Sequence, residues 1–115
     1  MIAALNQLVE AVEKSGAEEV DVAAVASAHG TTEYHLRRMF SSLAGMPVSE
    51  YVRRRRMSRA AADVAESTDD LLTIAVRHGY GSTEAFGRAF RSVHGITPAD
   101  ARRDGGPFRS QQQLR

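Results

Sequence analysis

The chain has 115 residues, 43% of them hydrophobic and none cysteine, with a formal net charge of +1. That length allows one compact core but not two full domains, and the missing thiols exclude disulfides, thiolate nucleophiles and Cys-ligated zinc, as fits a reducing compartment. No apolar run approaches the roughly 20 residues of a bilayer crossing and the N-terminus lacks signal-peptide character, so a soluble, cytoplasmic protein is expected.

In chain order, Ile2, Leu5, Leu8, Val9 and Val12 share one face of a first helix, which "KSGAEE" breaks at Gly16. Asp21 caps a short second helix over 22–28, ended by Gly30. Thr32 caps the next, which runs to about Ala44 with Gly45 after it. Its stretch "TTEYHLRRMF" and the turn that follows bury Leu36, Met39, Phe40 and Leu43, and place Tyr34, Arg37, Arg38 and Ser41 on the other face. Pro47 suits a first helical turn and residues 48–66 hold no breaker, which predicts one long helix, with Arg54 placed to pair with Glu50 at i,i+4. Asp69 caps a short helix over 70–78, ended by Gly79. Ser82 caps another, to about His94 with Gly95 after it, and Pro98 opens the last. No strand pattern appears, so the fold class is all-α with about seven helices. After Arg103 the tail "DGGPFRSQQQLR" reads as a linker.

The small net charge hides a segregation of sign. Residues 34–60 carry seven arginines against Glu50, and residues 77–103 carry five against Glu84 and Asp100. Acids gather in 10–21 and 63–70, which implies one cationic and one anionic surface.

A repeat organises the chain. A shift of fifty residues carries Thr32 onto Ser82, Leu36 onto Phe86, Arg38 onto Arg88, Phe40 onto Phe90, Ser42 onto Ser92 and Gly45 onto Gly95. The buried set becomes Phe86, Ala89, Phe90 and Val93, and the exposed set becomes Glu84, Gly87, Arg88 and Arg91. Before each copy, a small residue stands four positions ahead of a glycine, Ala26 with Gly30 and Ala75 with Gly79. A small side chain lets two helices cross closely and glycine supplies the left-handed turn, so the pattern is helix, tight turn, helix, twice.

The second helix of such a unit can enter a major groove. Tyr34, Arg37 and Arg38 would then reach base edges or phosphates, and arginine grips guanine bidentately for ~1–3 kcal/mol of discrimination. The helix N-termini at Thr32 and Ser82 are phosphate sites. Residues 53–56 turn through most of a helix circumference, so at most two face one duplex; Arg53 and Arg56 are the expected phosphate contacts, with Ser41. A linker helix of about nineteen residues at ~1.5 Å each spans ~28 Å, which would set the two recognition helices roughly one duplex turn, ~34 Å, apart in successive major grooves.

"VAAVASAHGTTEYHLRRMFSSLAGMPVSEYVRRRRMSRAAADV" followed by "LLTIAVRHGYGSTEAFGRAFRSVHGITPADARR" resembles the AraC/XylS family DNA-binding domain, a bacterial transcription regulator module with two helix-turn-helix units. Ile74, Ala75, Gly79, Tyr80, Ser82, Phe86, Arg88, Phe90, Gly95 and Pro98 carry the most specific part of the likeness. Ala101 departs from it, standing where the family usually has an aromatic. The resemblance implies a tandem domain over 1–103, with a first unit at about 1–46, a linker helix at about 47–66, a second unit at about 69–103 and a tail over 104–115. It implies base reading by Tyr34, Arg37 and Arg38 in the first unit and by Thr83, Glu84 and Arg88 in the second, with Arg91 on phosphate. Promoter DNA is the implied ligand and RNA polymerase an expected partner. An effector-binding domain is expected C-terminal to residue 115, with a stand-alone activator as the alternative.

Other readings carry less. Leu36, Phe40, Phe86 and Phe90 are core residues. His29, His35, His78 and His94 lack metal-ligand spacing and suit surface or turn roles. Asp69 and Asp70 suit capping rather than acid–base chemistry. Gly79, Gly81 and Gly87 follow no strand and precede no lysine, so they form no nucleotide loop. No nucleophile, base and metal set converges, so neither catalysis nor a cofactor is expected. The alternative to DNA binding is a helical protein-interaction module whose charge serves an acidic partner.

Overall fold

In the computed structural model, residues 1–15 and 18–104 are described, and the linker-like tail beyond them lies outside the described residues. They form α1 (Ile2–Lys14), α2 (Val22–Ala28), α3 (Glu33–Ala44), α4 (Val48–Glu66), α5 (Leu71–Arg77), α6 (Thr83–His94) and α7 (Pro98–Asp104), with no strand among them. The fold is all-α. No helix among the described residues is long and apolar enough to cross a membrane.

Two compact units divide within α4, one comprising Met1–Arg53 and the other starting at Arg54. The single core that the chain length suggests is therefore two. In the first, Leu8 and Val12 of α1, Val25 of α2, Leu36 and Phe40 of α3 and Tyr51 of α4 pack together. The second gathers Met57 and Val64 of α4, Ile74 of α5, Phe86 and Phe90 of α6 and Ala101 of α7. The physical reason lies in α4 itself, where arginines fill every position between Val52 and Met57 and leave nothing apolar to merge the cores.

Local chemistry sets the helix starts. Asp21 Oδ1 accepts from the Ala24 N–H at 3.0 Å, Thr32 Oγ1 from His35 at 3.1 Å and Ser82 Oγ from Ala85 at 3.1 Å. Each side chain satisfies a donor that the first helical turn leaves without a partner. At α5 the cap is Asp70, not Asp69: Asp70 Oδ1 accepts from Thr73 at 2.7 Å and the helix begins at Leu71. Asp69 is taken instead by Arg77, whose Nη2 lies 2.7 Å from its carboxylate.

Both helix-turn-helix turns close in the same way. In the first unit the Thr31 N–H donates to Ala26 O at 3.0 Å and Gly30 to Ser27 O at 3.2 Å; in the second, Tyr80 donates to Ala75 O at 2.9 Å and Gly79 to Val76 O at 3.0 Å. This paired closure requires a left-handed residue, and Gly30 and Gly79 supply it at φ 70° and 89°. Ala26 and Ala75 are buried in the cores of their units.

Four side chains depart from the sequence expectation. Ile2 and Leu43 are 74% and 70% exposed rather than buried. They flank an open groove of about 260 Å³ with Leu5, Val9, Phe40 and Ala44, where the apolar stripe of α3 outruns the surface that the first turn of α1 covers. His94 is buried rather than at a surface or turn position: it sits one turn after Phe90 on the apolar face, its ring 4.5 Å from that phenyl, and Nε2 makes a 2.9 Å hydrogen bond with Met57 O. Met39 is half-buried. Glu50 is held by Arg53 at i,i+3, with Nη2 to Oε1 at 2.8 Å.

Ala101 is fully buried in the second core despite its size. The neighbouring Arg102 secures α7 by donating to Val64 O at 3.0 Å and Ser67 O at 3.2 Å. These carbonyls lie at the C-terminal end of α4, where a helix lacks its own donors.

Two predictions follow from this packing. Phe90→Ala removes a fully buried ring from the second core and should cost ~3–5 kcal/mol in equilibrium unfolding. Asp63 lies 2.6 Å from His78 Nε2 and 3.2 Å from Arg77 Nη1; burial alone would raise its pKa, but the hydrogen bonds and charges of His78 and Arg77 outweigh that and bring it below the ordinary carboxylate value of 3.8. A carboxylate with a lowered folded pKa stabilises the fold above that ordinary value, and the contribution is lost as pH falls through the folded pKa. Asp63→Asn should therefore lower the urea midpoint at pH 7 and shrink the further loss below about pH 4, as urea titrations between pH 7 and 3 would read.

Candidate nucleic-acid interface

In the first unit α3 buries Leu36 and Phe40, which leaves the opposite side of its N-terminal half in solvent. Tyr34 is 69% exposed, and the Arg38 guanidinium carbon lies 5.7 Å from the centroid of its ring. A guanidinium at that distance is attracted by the ring face. The two side chains thus present one flat, cationic, stackable surface. Arg37 shares the exposed side but is engaged within the helix, its Nε 2.9 Å from Glu33 Oε2 at i,i+4. Sequence reasoning passed over Glu33, although its spacing from Arg37 was the available signal.

At the start of α3 the Thr32 hydroxyl accepts from a backbone N–H, so its own proton stays available to donate to a phosphate oxygen. Ser82 stands in the same relation to α6. On α6 the buried face is Phe86, Phe90, Val93 and His94, and Thr83, Glu84, Arg88 and Arg91 are exposed on the rest of the helix. Glu84 adds an acceptor to an otherwise cationic surface, which suits a cytosine amino group and opposes phosphate.

The remaining expected phosphate contacts are less open. Ser41 is half-buried on the last turns of α3. Arg53 is half-buried and holds Glu50 in the first unit, while Arg56 is half-buried in the second. The expected readers therefore gather as Tyr34, Arg37 and Arg38 on α3 and as Thr83, Glu84 and Arg88 on α6, with Arg53 and Arg56 assigned to different units.

Comparison with known proteins identifies the fold and the family. A family model described as a helix-turn-helix domain matches residues 25–104. The regulatory protein SoxS of Salmonella typhimurium is 30% identical over 98 residues, covering 85% of this chain and 92% of that protein. The HTH-type transcriptional activator AarP of Providencia stuartii is 35% identical over 75 residues, covering 65% of this chain; the match spans only 56% of AarP. Among solved structures, an AraC-type DNA-binding regulator from Chromobacterium violaceum superposes with a TM-score of 0.81 at 23% identity, covering 90% of this chain and 92% of that one. The DNA-binding domain of AdpA, solved with a target DNA, superposes with a TM-score of 0.74 at 26% identity, covering 88% of this chain and 91% of its own. With the doubled helix-turn-helix units and the family match over residues 25–104, the chain belongs to the AraC/XylS family of DNA-binding domains.

Proposed function

We propose that this chain binds double-stranded promoter DNA in a sequence-specific manner as part of a bacterial transcription regulator, with α3 and α6 as its recognition helices, each in a major groove. The observation that carries this reading is the exposed Tyr34–Arg38 pair on a helix whose other face is locked into a core, repeated fifty residues on by exposed Arg88 on α6. Tyr34, Arg37 and Arg38 read bases in one half-site and Thr83, Glu84 and Arg88 in the other. Thr32, Ser41, Arg53, Arg56, Ser82 and Arg91 meet phosphates and fix the register. The AdpA domain, similar over most of both chains, is a DNA-bound structure, and SoxS and AarP are named as a regulator and an activator. Contact with RNA polymerase at the promoter completes the proposed role.

Selection of bound sequences from random duplex DNA tests the reading: two enriched half-sites support it, and retention without any enriched motif overturns sequence-specific recognition. On the selected site, Arg38→Ala should weaken binding by ~1–3 kcal/mol and relax the preference at one position. Arg91→Ala should weaken cognate and random duplexes alike and reduce the salt slope by about one. Equal losses by both variants on both duplexes would contradict the assigned roles.

A further inference from the structure

Gly87 is a puzzle for the fold alone. It is the fifth residue of the twelve-residue helix α6, where glycine is a poor helix former and alanine the best. Gly30, Gly45, Gly79 and Gly95 have positive φ, a backbone shape that favours glycine; Gly87 does not. Nor does packing demand it, because a Cβ added at Gly87 meets nothing within 4 Å. The protein itself has room for a side chain there.

Position supplies the missing reason. The helical neighbours of Gly87 are Thr83 and Glu84 one turn earlier and Arg91 one turn later, with Arg88 adjacent, and all four are exposed. Phe86 and Phe90 point to the core. Gly87 therefore lies amid the side chains assigned to DNA. Fifty residues earlier the same place on α3 is held by Arg37, a long arm paired with Glu33.

An α-helix with its side chains is ~10–12 Å across and the major groove ~12 Å wide, so the side chains on the groove-facing side decide how deeply a helix seats. On α3 the readers are Tyr34, Arg37 and Arg38, all long. On α6, Arg88 is long, but Thr83 and Glu84 are shorter and reach base edges only if the backbone comes close.

Resting on the DNA-binding reading above, we propose that Gly87 is a specificity-determining residue: the missing side chain lets the α6 backbone sit against the base-pair edges, so that Thr83 and Glu84 reach them. Glycine here trades helix propensity for depth in the groove.

The test uses the full chain and its Gly87→Ala variant, with thermal unfolding and binding to the selected and a random duplex at two salt concentrations. Tm should rise by about 4–8 °C, affinity for the selected duplex should fall about tenfold or more, and affinity for random duplex and the salt slope should hold. A repeated selection with the variant should change only the half-site read by α6. Cognate binding within twofold of the parent overturns the inference, as does a lowered Tm, which would mean that the fold itself needs the glycine. A parent chain that enriches no motif would sink the DNA-binding reading and this inference together, whereas a specific parent with an indifferent variant sinks the inference alone.

Discussion

The packing of a small, buried alanine of the first helix into the core of each helix pair is the constraint on which each unit depends. Ala26 and Ala75 are buried in the first helix of each pair, and each accepts at its carbonyl oxygen a hydrogen bond from the N–H of the residue five positions on. That hydrogen bond and the left-handed glycine before its donor fix the direction in which the chain leaves. A larger side chain at that alanine would force the helices apart and turn the exposed face of α3 or α6 away from its present bearing. The spacing from alanine to glycine is stricter than the turn that follows. From Ala26 to Ala75 the repeat interval is forty-nine residues, but from Thr32 to Ser82 it is fifty, because Gly81 adds a residue after Tyr80. Tyr80 lies 5.7 Å from Phe86, and the cap on α6 forms all the same.

The charges obey a second economy. Many arginines are engaged within their own unit: Arg37 with Glu33, Arg53 with Glu50, Arg77 with Asp63 and Asp69, and Arg102 with the end of α4. Exposed ion pairs add little to stability. Their larger consequence is for binding, since an arginine that must leave a carboxylate gains less from a phosphate than one already turned to solvent. Arg38 is oriented by a ring rather than by an acid, so it keeps its full set of donors for a base edge.

What could be read in the sequence divides along the range of the interaction. Asp21, Thr32 and Ser82 were legible as caps because a cap reaches only three residues. Asp69 misled because two adjacent aspartates offer the same local signal, and the choice between them is made by Arg77, eight residues from Asp69. Helical period identified the faces of α1 and α3 but not where the covering helix stops, which is why Ile2 and Leu43 proved exposed. His94 and Arg102 were beyond local reasoning, for their partners lie 37 and 38 residues away. The exposure of the candidate readers was legible for the opposite reason: helical period and the fifty-residue repeat mark the outward faces of α3 and α6, whereas Thr83 and the assignment to bases came from the family resemblance.

The two recognition helices also differ in how they are held, and that difference matches what each presents. Tyr80, Phe86, Phe90 and His94 form a run of aromatic contacts, with centroids 5.7, 5.7 and 4.5 Å apart, that anchors α6 along its length. The buried side chains of α3 are Leu36 and Phe40, the latter 5.4 Å from Tyr51. Long side chains such as Arg37 and Arg38 can absorb a small shift of their helix by changing rotamer. Of the readers proposed on α6, Arg88 is equally long, but Thr83 and Glu84 have less length with which to compensate. The heavier aromatic anchoring of α6 suits those two shorter proposed readers.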